Sequence, residues 1–261
     1  MAKICPAEDP ETVTGSARSR LVLLCDHASN AIPSDYAGLG LSHEQLCRHI
    51  AYDIGARDLT LELARRLGAH AVLSRFSRLL IDPNRGLDDP TLIMRISDGD
   101  VVPGNRLVDD VERQRRIVRF HAPYHQAIAG AVELVRKAGH LPFLVSLHSF
   151  TPVWRGWPRP WHVGVLWDSD AAAAHAIIHG FMGQGDLVVG DNEPYRGGLD
   201  GDTLHIHGTL TGLPHALIEV RQDLIADKTG VDEWAERVAK VIEPIMYEAG
   251  PIRSDQGSGP A

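Results

Sequence analysis

RLVLLCDHASN (Arg20–Asn30) is the stretch on which the fold turns. Leu21–Cys25 are apolar without alternation, the pattern of a strand buried on both faces rather than one with a wet side. The run then stops at Asp26-His27. In open α/β sheets, ligands collect just outside the carboxyl ends of the strands, so residues in this position are the first to examine for chemistry. Short apolar runs recur at Ala71–Ser74, Leu79–Ile81, Leu141–Leu147 (LPFLVSL), His162–Trp167 (HVGVLW), Leu187–Val189 and His215–Val220. Between them lie stretches of helical periodicity: about His43–Leu67, opened by a Ser42/Gln45 capping box; Asp109–Lys137, bent near Pro123; Ala171–Phe181; and Val231–Glu248. This alternation predicts a largely parallel sheet with helices on both faces.

Composition narrows the function. The chain has 261 residues, enough to bury a full core, with 44% hydrophobic and 23% charged residues. A net charge of −8 excludes a general nucleic-acid binder, which needs a basic footprint to displace counterions. No window is long and apolar enough to span a membrane, and no signal-peptide stretch opens the chain. Cys5, Cys25 and Cys47 have no paired spacing, so a reducing cytoplasm is the expectation. Residues 1–19 read as a flexible arm and 250–261 as a disordered tail, which leaves one domain over 20–249. Fourteen histidines turn attention to metal binding and acid–base work.

The strand ends gather a specific set. Asp26-His27 follow the first strand, Asp82-Pro83-Asn84-Arg85 follow Leu79–Ile81, His148-Ser149 follow Leu141–Leu147, and Glu219 and Arg221 close the last. If these strands run parallel, two histidines, a glutamate and an Asn-Arg pair meet at one edge. Imidazoles suit a borderline-soft divalent ion, a carboxylate can take a proton from water, and a guanidinium forks onto a substrate carboxylate.

The segments CDHASNAIP, SRFSRLLIDPNRG, SLHSF and HALIEVRQDL, in that order from about Leu21 to Leu224, resemble those of the N-formylglutamate amidohydrolase family. That family is similar, at a distance, to the zinc carboxypeptidases and to aspartoacylase and succinylglutamate desuccinylase. The resemblance implies a three-layer α/β/α fold with a mixed, mostly parallel central sheet, of the phosphorylase/hydrolase and zinc exopeptidase type. It implies one divalent metal, zinc, with His27 and His148 as ligands and Glu219 as general base. It also implies Asn84 and Arg85 as the grip on the substrate's α-carboxylate, Arg78 near the scissile carbonyl, and Tyr195 and His207 on the substrate side. The substrate would be a small N-acyl amino acid, N-formylglutamate giving formate and glutamate.

One position departs from the pattern. Many peptidase-like relatives carry a glutamate three residues after the first histidine, where this chain has Asn30, a poor zinc ligand. Asp53 is the candidate replacement for the middle ligand; Asn30 itself or a water are the alternatives. Each residue also has a plainer reading. His27 and His148 could cap loops, Asp53 could cap a helix, and Asp82–Gly86 could be an ordinary turn. Glu219 in an apolar strand could be salt-bridged to Arg221 or another arginine, and since residues two apart share a strand face, the same geometry could bring Arg221 to the substrate. His121, Tyr124 and His125 read as packing or solvated helix residues, and Trp154–Trp161 as cover for a sheet edge. The rival function is a non-catalytic carboxylate-binding protein that has lost its metal; a serine hydrolase is weaker, because no GxSxG elbow exists.

Overall fold

The computed structural model describes residues 9–248. Seven strands form the central sheet: β1 (Glu11–Val13), β2 (Leu21–Cys25), β3 (His70–Leu73), β4 (Phe143–Phe150), β5 (Val163–Leu166), β6 (Val189–Asp191) and β7 (His215–Arg221). Their spatial order is β1-β3-β2-β4-β7-β5-β6. The pairs β2/β3, β2/β4, β4/β7 and β5/β6 are parallel; β1/β3 and β5/β7 are antiparallel. The sheet is therefore mixed and mostly parallel, as expected. Every residue of β2, β3 and β4 is buried, which is what continuous apolar runs demand when helices cover both faces.

Helices α1 (His43–Leu46), α2 (Ala56–Leu67), α3 (Asp110–Arg116), α4 (Ala122–Lys137), α5 (Ala171–Met182), α6 (Thr203–His207) and α7 (Lys228–Glu248) complete the fold. Leu59 and Leu63 of α2, Ile177 and Phe181 of α5 and Trp234 and Val238 of α7 pack in one cluster on one face, with Leu21, Leu23, Val145 and Ile218 of the sheet. Tyr124, Ile128, Val132 and Val135 of α4 pack against Val22, Leu24, Val72 and Leu144 on the other. No helix among the described residues is long and apolar enough to cross a membrane.

Several expectations are corrected. Glu11–Val13, placed in the flexible arm, instead pairs antiparallel with Leu73–Ala71 as an edge strand; residues 1–8 and the tail from 250 lie outside the described residues. Leu79–Ile81 is not a strand. Its three residues are fully buried, but they sit in tight turns within a third cluster that includes Phe76, Leu92 and Phe120. Three apolar residues cannot distinguish a strand from a buried turn. Its backbone carbonyls are satisfied from outside: Asn105 Nδ2 donates to Leu79 O at 2.7 Å and Arg116 Nη1 to Leu80 O at 2.8 Å. The expected 43–67 helix breaks into α1, whose Ser42/Gln45 capping box is present, and α2. Pro123 does not break the long helix; a π-type turn over Ile117–His121 leads into α4 and absorbs the missing N–H. His205-Ile206-His207 closes the short helix α6.

Gly55 caps the start of α2 in a left-handed conformation. Its φ is +79°, and a Cβ there would lie 2.2 Å from Ile225 O. Gly55→Ala should cost about 1–3 kcal/mol from the backbone conformation alone. A urea midpoint shifted down checks this; an unchanged midpoint would show that the turn can relax. Because Asp53 lies two residues upstream, the same substitution should disturb the strand-end residues that Asp53 joins.

Candidate active site

The parallel register of β4 and β7 places Glu219 directly opposite His148. His27 lies two residues beyond the end of β2, and Asp53 comes from the turn before α2. The Asp53 N–H donates to His27 O at 2.9 Å, and the Ser149 N–H donates to Asp53 Oδ2 at 3.3 Å, so the backbone locks these segments together. One ligand atom each from His27, Asp53 and His148 lies within 4.8 Å of the others, and all three residues are buried. Asp53 Oδ2 is 3.4 Å from His27 Nδ1 and 2.9 Å from His148 Nδ1. Asn30 is elsewhere, its amide donating to Leu46 O at 2.9 Å. Of the alternatives for the middle position, Asp53 is the one that stands between the histidines.

The outer nitrogen of each ring is held by a further carboxylate. His27 Nε2 is 2.8 Å from Asp82 Oδ1 and His148 Nε2 is 2.9 Å from Asp26 Oδ2. An Nε2–H donated to a carboxylate fixes the tautomer, makes the ring more basic and leaves the Nδ1 lone pair facing Asp53. Asp26 also accepts from Tyr124 (3.0 Å), Ser146 (2.9 Å) and Thr203 (2.5 Å) hydroxyls. Arg78 spans the cluster, Nη1 lying 3.4 Å from Asp53 and Nη2 3.2 Å from Asp82.

The electrostatics follow from burial against partners. Burial alone would raise the carboxyls of Asp26, Asp53 and Asp82, but hydrogen bonds and charge from the histidines, with Arg78 at Asp82, hold all three well below their ordinary range. Burial would lower His148, yet Asp26 and Asp53 together push it well up. Arg78 stays a cation, because Asp82 and Asp53 outweigh its burial. Glu219 is different. Burial dominates and lifts it to about 7, against the pull of His148.

These residues fit a divalent metal ion. Three buried carboxylates are gathered round one guanidinium and two imidazoles, and with the imidazoles neutral their charge is one that a bound cation relieves. His27 Nδ1 and Glu219 Oε2 are buried without a hydrogen-bond partner among the described residues, and such atoms are costly unless something binds them. Two imidazoles and a carboxylate are a catalytic-zinc donor set, leaving coordination open for water or substrate.

Beside the cluster lies a cavity of about 500 Å³. Arg78, His49 and Tyr195 line it, with Trp154 and Gln222. Tyr195 accepts a hydrogen bond from Arg159 Nη2 at 2.9 Å. Asn84 Oδ1 accepts from the Thr203 N–H at 3.0 Å, and Arg85 donates to Asn84 O at 2.7 Å and Thr91 Oγ1 at 3.2 Å. His207 Nε2 is 2.9 Å from His125 Nδ1, their rings stacked. Arg221 is not brought to the site. It forks onto Asp223 at 2.8 and 3.2 Å, because the strand ends there and the chain turns back within reach. It does not pair with Glu219, and among the described residues no arginine forms a salt bridge with Glu219. Ser149 Oγ donates to Ile54 O at 2.8 Å and supports the Asp53 turn, with no base beside it.

Asp26, Asp82, His49 and Arg159 are the residues that sequence reasoning passed over. Their signal was available in part: Asp26 immediately precedes His27, Asp82 sits two before Asn84, and His49 lies four before Asp53. A buried histidine needs a partner, and the nearest acid in sequence is a fair guess. Tyr124, read as a packing residue, is buried but also donates to Asp26.

The family model for N-formylglutamate amidohydrolase matches residues 19–226. No curated protein is significantly similar in sequence. Among solved structures, a gene product of Agrobacterium tumefaciens is 34% identical with a TM-score of 0.84, the match covering 91% of this chain and 96% of that one. The N-formylglutamate amidohydrolase of Ralstonia eutropha is 21% identical with a TM-score of 0.73, covering 92% and 97%, and shares the fold. With most of its length matched by the family model, this chain belongs to the N-formylglutamate amidohydrolase family, a family of amide hydrolases.

Proposed function

We propose that the protein is a metal-dependent amidohydrolase that cleaves N-formylglutamate to formate and glutamate. The observation that carries this reading is the His27–Asp53–His148 cluster with Glu219 beside it in register. A divalent ion, zinc, held by His27, Asp53 and His148 supplies Lewis acidity and an acidified water. Asp26 and Asp82 hold the two imidazoles in the tautomer that points Nδ1 inward. Glu219, buried and tuned to about 7, takes the proton from the attacking water and delivers it to the departing amine. Arg78 lies against the same carboxylates and stabilises the oxyanion that develops on the formyl oxygen. Tyr195 accepts from Arg159, which leaves its own O–H to donate into the cavity. In this reading Asn84 and Arg85, which lie outside the walls of that cavity, grip the α-carboxylate, with His207 joined to the same turn through His125 and Pro83 O.

A panel of N-acyl amino acids, assayed with and without chelator, tests the proposal. N-formylglutamate should be the best substrate, activity should vanish on chelation, and added zinc should restore it. Full turnover in chelator would overturn the metal, while activity confined to another acyl group would overturn the substrate. Metal binding should also weaken on acidification. Asp26 and Asp53 push the His148 pKa up, so a proton competes with the ion for its ring, and affinity should fall by roughly tenfold per pH unit where one proton is exchanged. Zinc titration at two pH values reads this directly.

A further inference from the structure

The opposite edge of the sheet holds a second feature. Arg20 precedes β2, Phe143 opens β4 and His215 opens β7, and these three strands run parallel. Their amino ends therefore lie on the order of 20 Å from the carboxyl-end cluster. There a cavity of about 570 Å³ opens, lined by Arg20, by the start of α5 and by the Gly208–His215 turn.

Arg20 is 8% exposed, and its Nε and Nη1 are buried with no hydrogen-bond partner among the described residues. The other two arginines buried this deeply are satisfied. Arg116 bonds Glu112, Leu80 O and Asn105, and Arg159 bonds Thr151 and Tyr195. Arg20 has only the face of the Phe143 ring, 5.6 Å from its guanidinium carbon. Burial pulls its pKa below the ordinary guanidinium value, with no carboxylate to raise it.

The other polar groups of the wall are already engaged. Asp170 accepts from the Ala173 N–H at 3.1 Å and the His215 N–H at 3.1 Å. Ser169 Oγ is 3.1 Å from Asp168, and His215 Nε2 is 3.2 Å from the same carboxylate. Thr209 Oγ1 donates to Asp168 at 2.8 Å, and the rest of the wall is largely apolar, with Leu141, Phe143, Ala173, Leu213, Pro214 and Ile245. A buried, unpaired cation is costly, and an anion that binds it removes that cost.

We infer that this cavity is a binding site, separate from the active site, for a small monocarboxylate with an apolar body, its carboxylate on Arg20 and its hydrocarbon against the apolar wall.

Hexanoate, its uncharged amide hexanamide and acetate are suitable probes with the full-length protein, read by thermal unfolding and calorimetry. Hexanoate at about five times its Kd should raise the unfolding midpoint by roughly 2–4 °C. Hexanamide should give no shift, and acetate should bind at least about tenfold more weakly, because it lacks the apolar body. Arg20→Met should lose at least about tenfold in hexanoate affinity while hydrolysing its substrate with unchanged kcat/KM. Ala172→Phe narrows the cavity from the α5 side with Arg20 intact, and should lose the response as well. No hexanoate response in the native protein at millimolar concentration would overturn the site. A response that persists in both variants would overturn it too, by assigning the carboxylate to the active site.

Discussion

Glu219→Gln should lower kcat by about 100- to 10,000-fold, the usual worth of a positioned general base, while leaving the fold and the bound metal in place. Glutamine is nearly isosteric, so the substitution removes the proton acceptor without opening a cavity. The side chain is buried beside His148, where no water can substitute for it in the same geometry. KM should change little, because Glu219 acts on the proton in flight rather than on the bound ground state. The native enzyme should lose kcat/KM as pH falls, since a base must be deprotonated to work. Burial sets Glu219 at about 7 in the metal-free protein, and a bound divalent cation lowers it, so the acid limb should lie at or below that value. The limb assigned to Glu219 should be absent from the residual activity of the variant. Full activity in Glu219→Gln would show that another group takes the proton.

His148→Ala should abolish both bound metal and activity. Elemental analysis should fall from about one equivalent to none, since two protein ligands seldom retain a catalytic ion. The loss reaches the fold as well. Asp26 and Asp53 are both held ionised in part by His148, and its removal leaves two buried carboxylates short of a partner. Breaking such a pair typically costs about 3–5 kcal/mol, so the melting temperature should drop measurably. Asp26→Asn, one bond further out, should be milder and should lower metal affinity by roughly 10- to 100-fold with the ion still bound at saturation. Equal effects in the two variants would mean that Asp26 does more than support a ligand.

Much of this arrangement was legible in the chain. Buried strands announce themselves by unbroken apolar runs, and β2, β4, β5 and β7 are where those runs lie. His27 just past β2, His148 near the end of β4 and Glu219 near the end of β7 come together, because these three strands are parallel and bring their carboxyl ends to one edge, whereas β5 runs the other way. Leu79–Ile81 misled, since burial without periodicity is common to strands and packed turns. Arg221 misled for a different reason. Strand alternation puts it on the same face as Glu219, but a long, flexible side chain at a strand end goes to whichever acid is nearest, and that was Asp223.

The sequence by itself determined the layered α/β class, the placement of His27, His148 and Glu219 at strand ends, and the family. These follow from local pattern and order, which any stretch of chain carries with it. Only the tertiary structure decided that Asp53 rather than Asn30 stands between the histidines, that Asp26 and Asp82 hold the outer nitrogens, and that Arg20 Nε and Nη1 find no hydrogen-bond partner among the described residues. Those are contacts between segments tens of residues apart. Hydrogen bonding and charge pairing act over a few ångströms in space, and distance along the chain does not measure that separation.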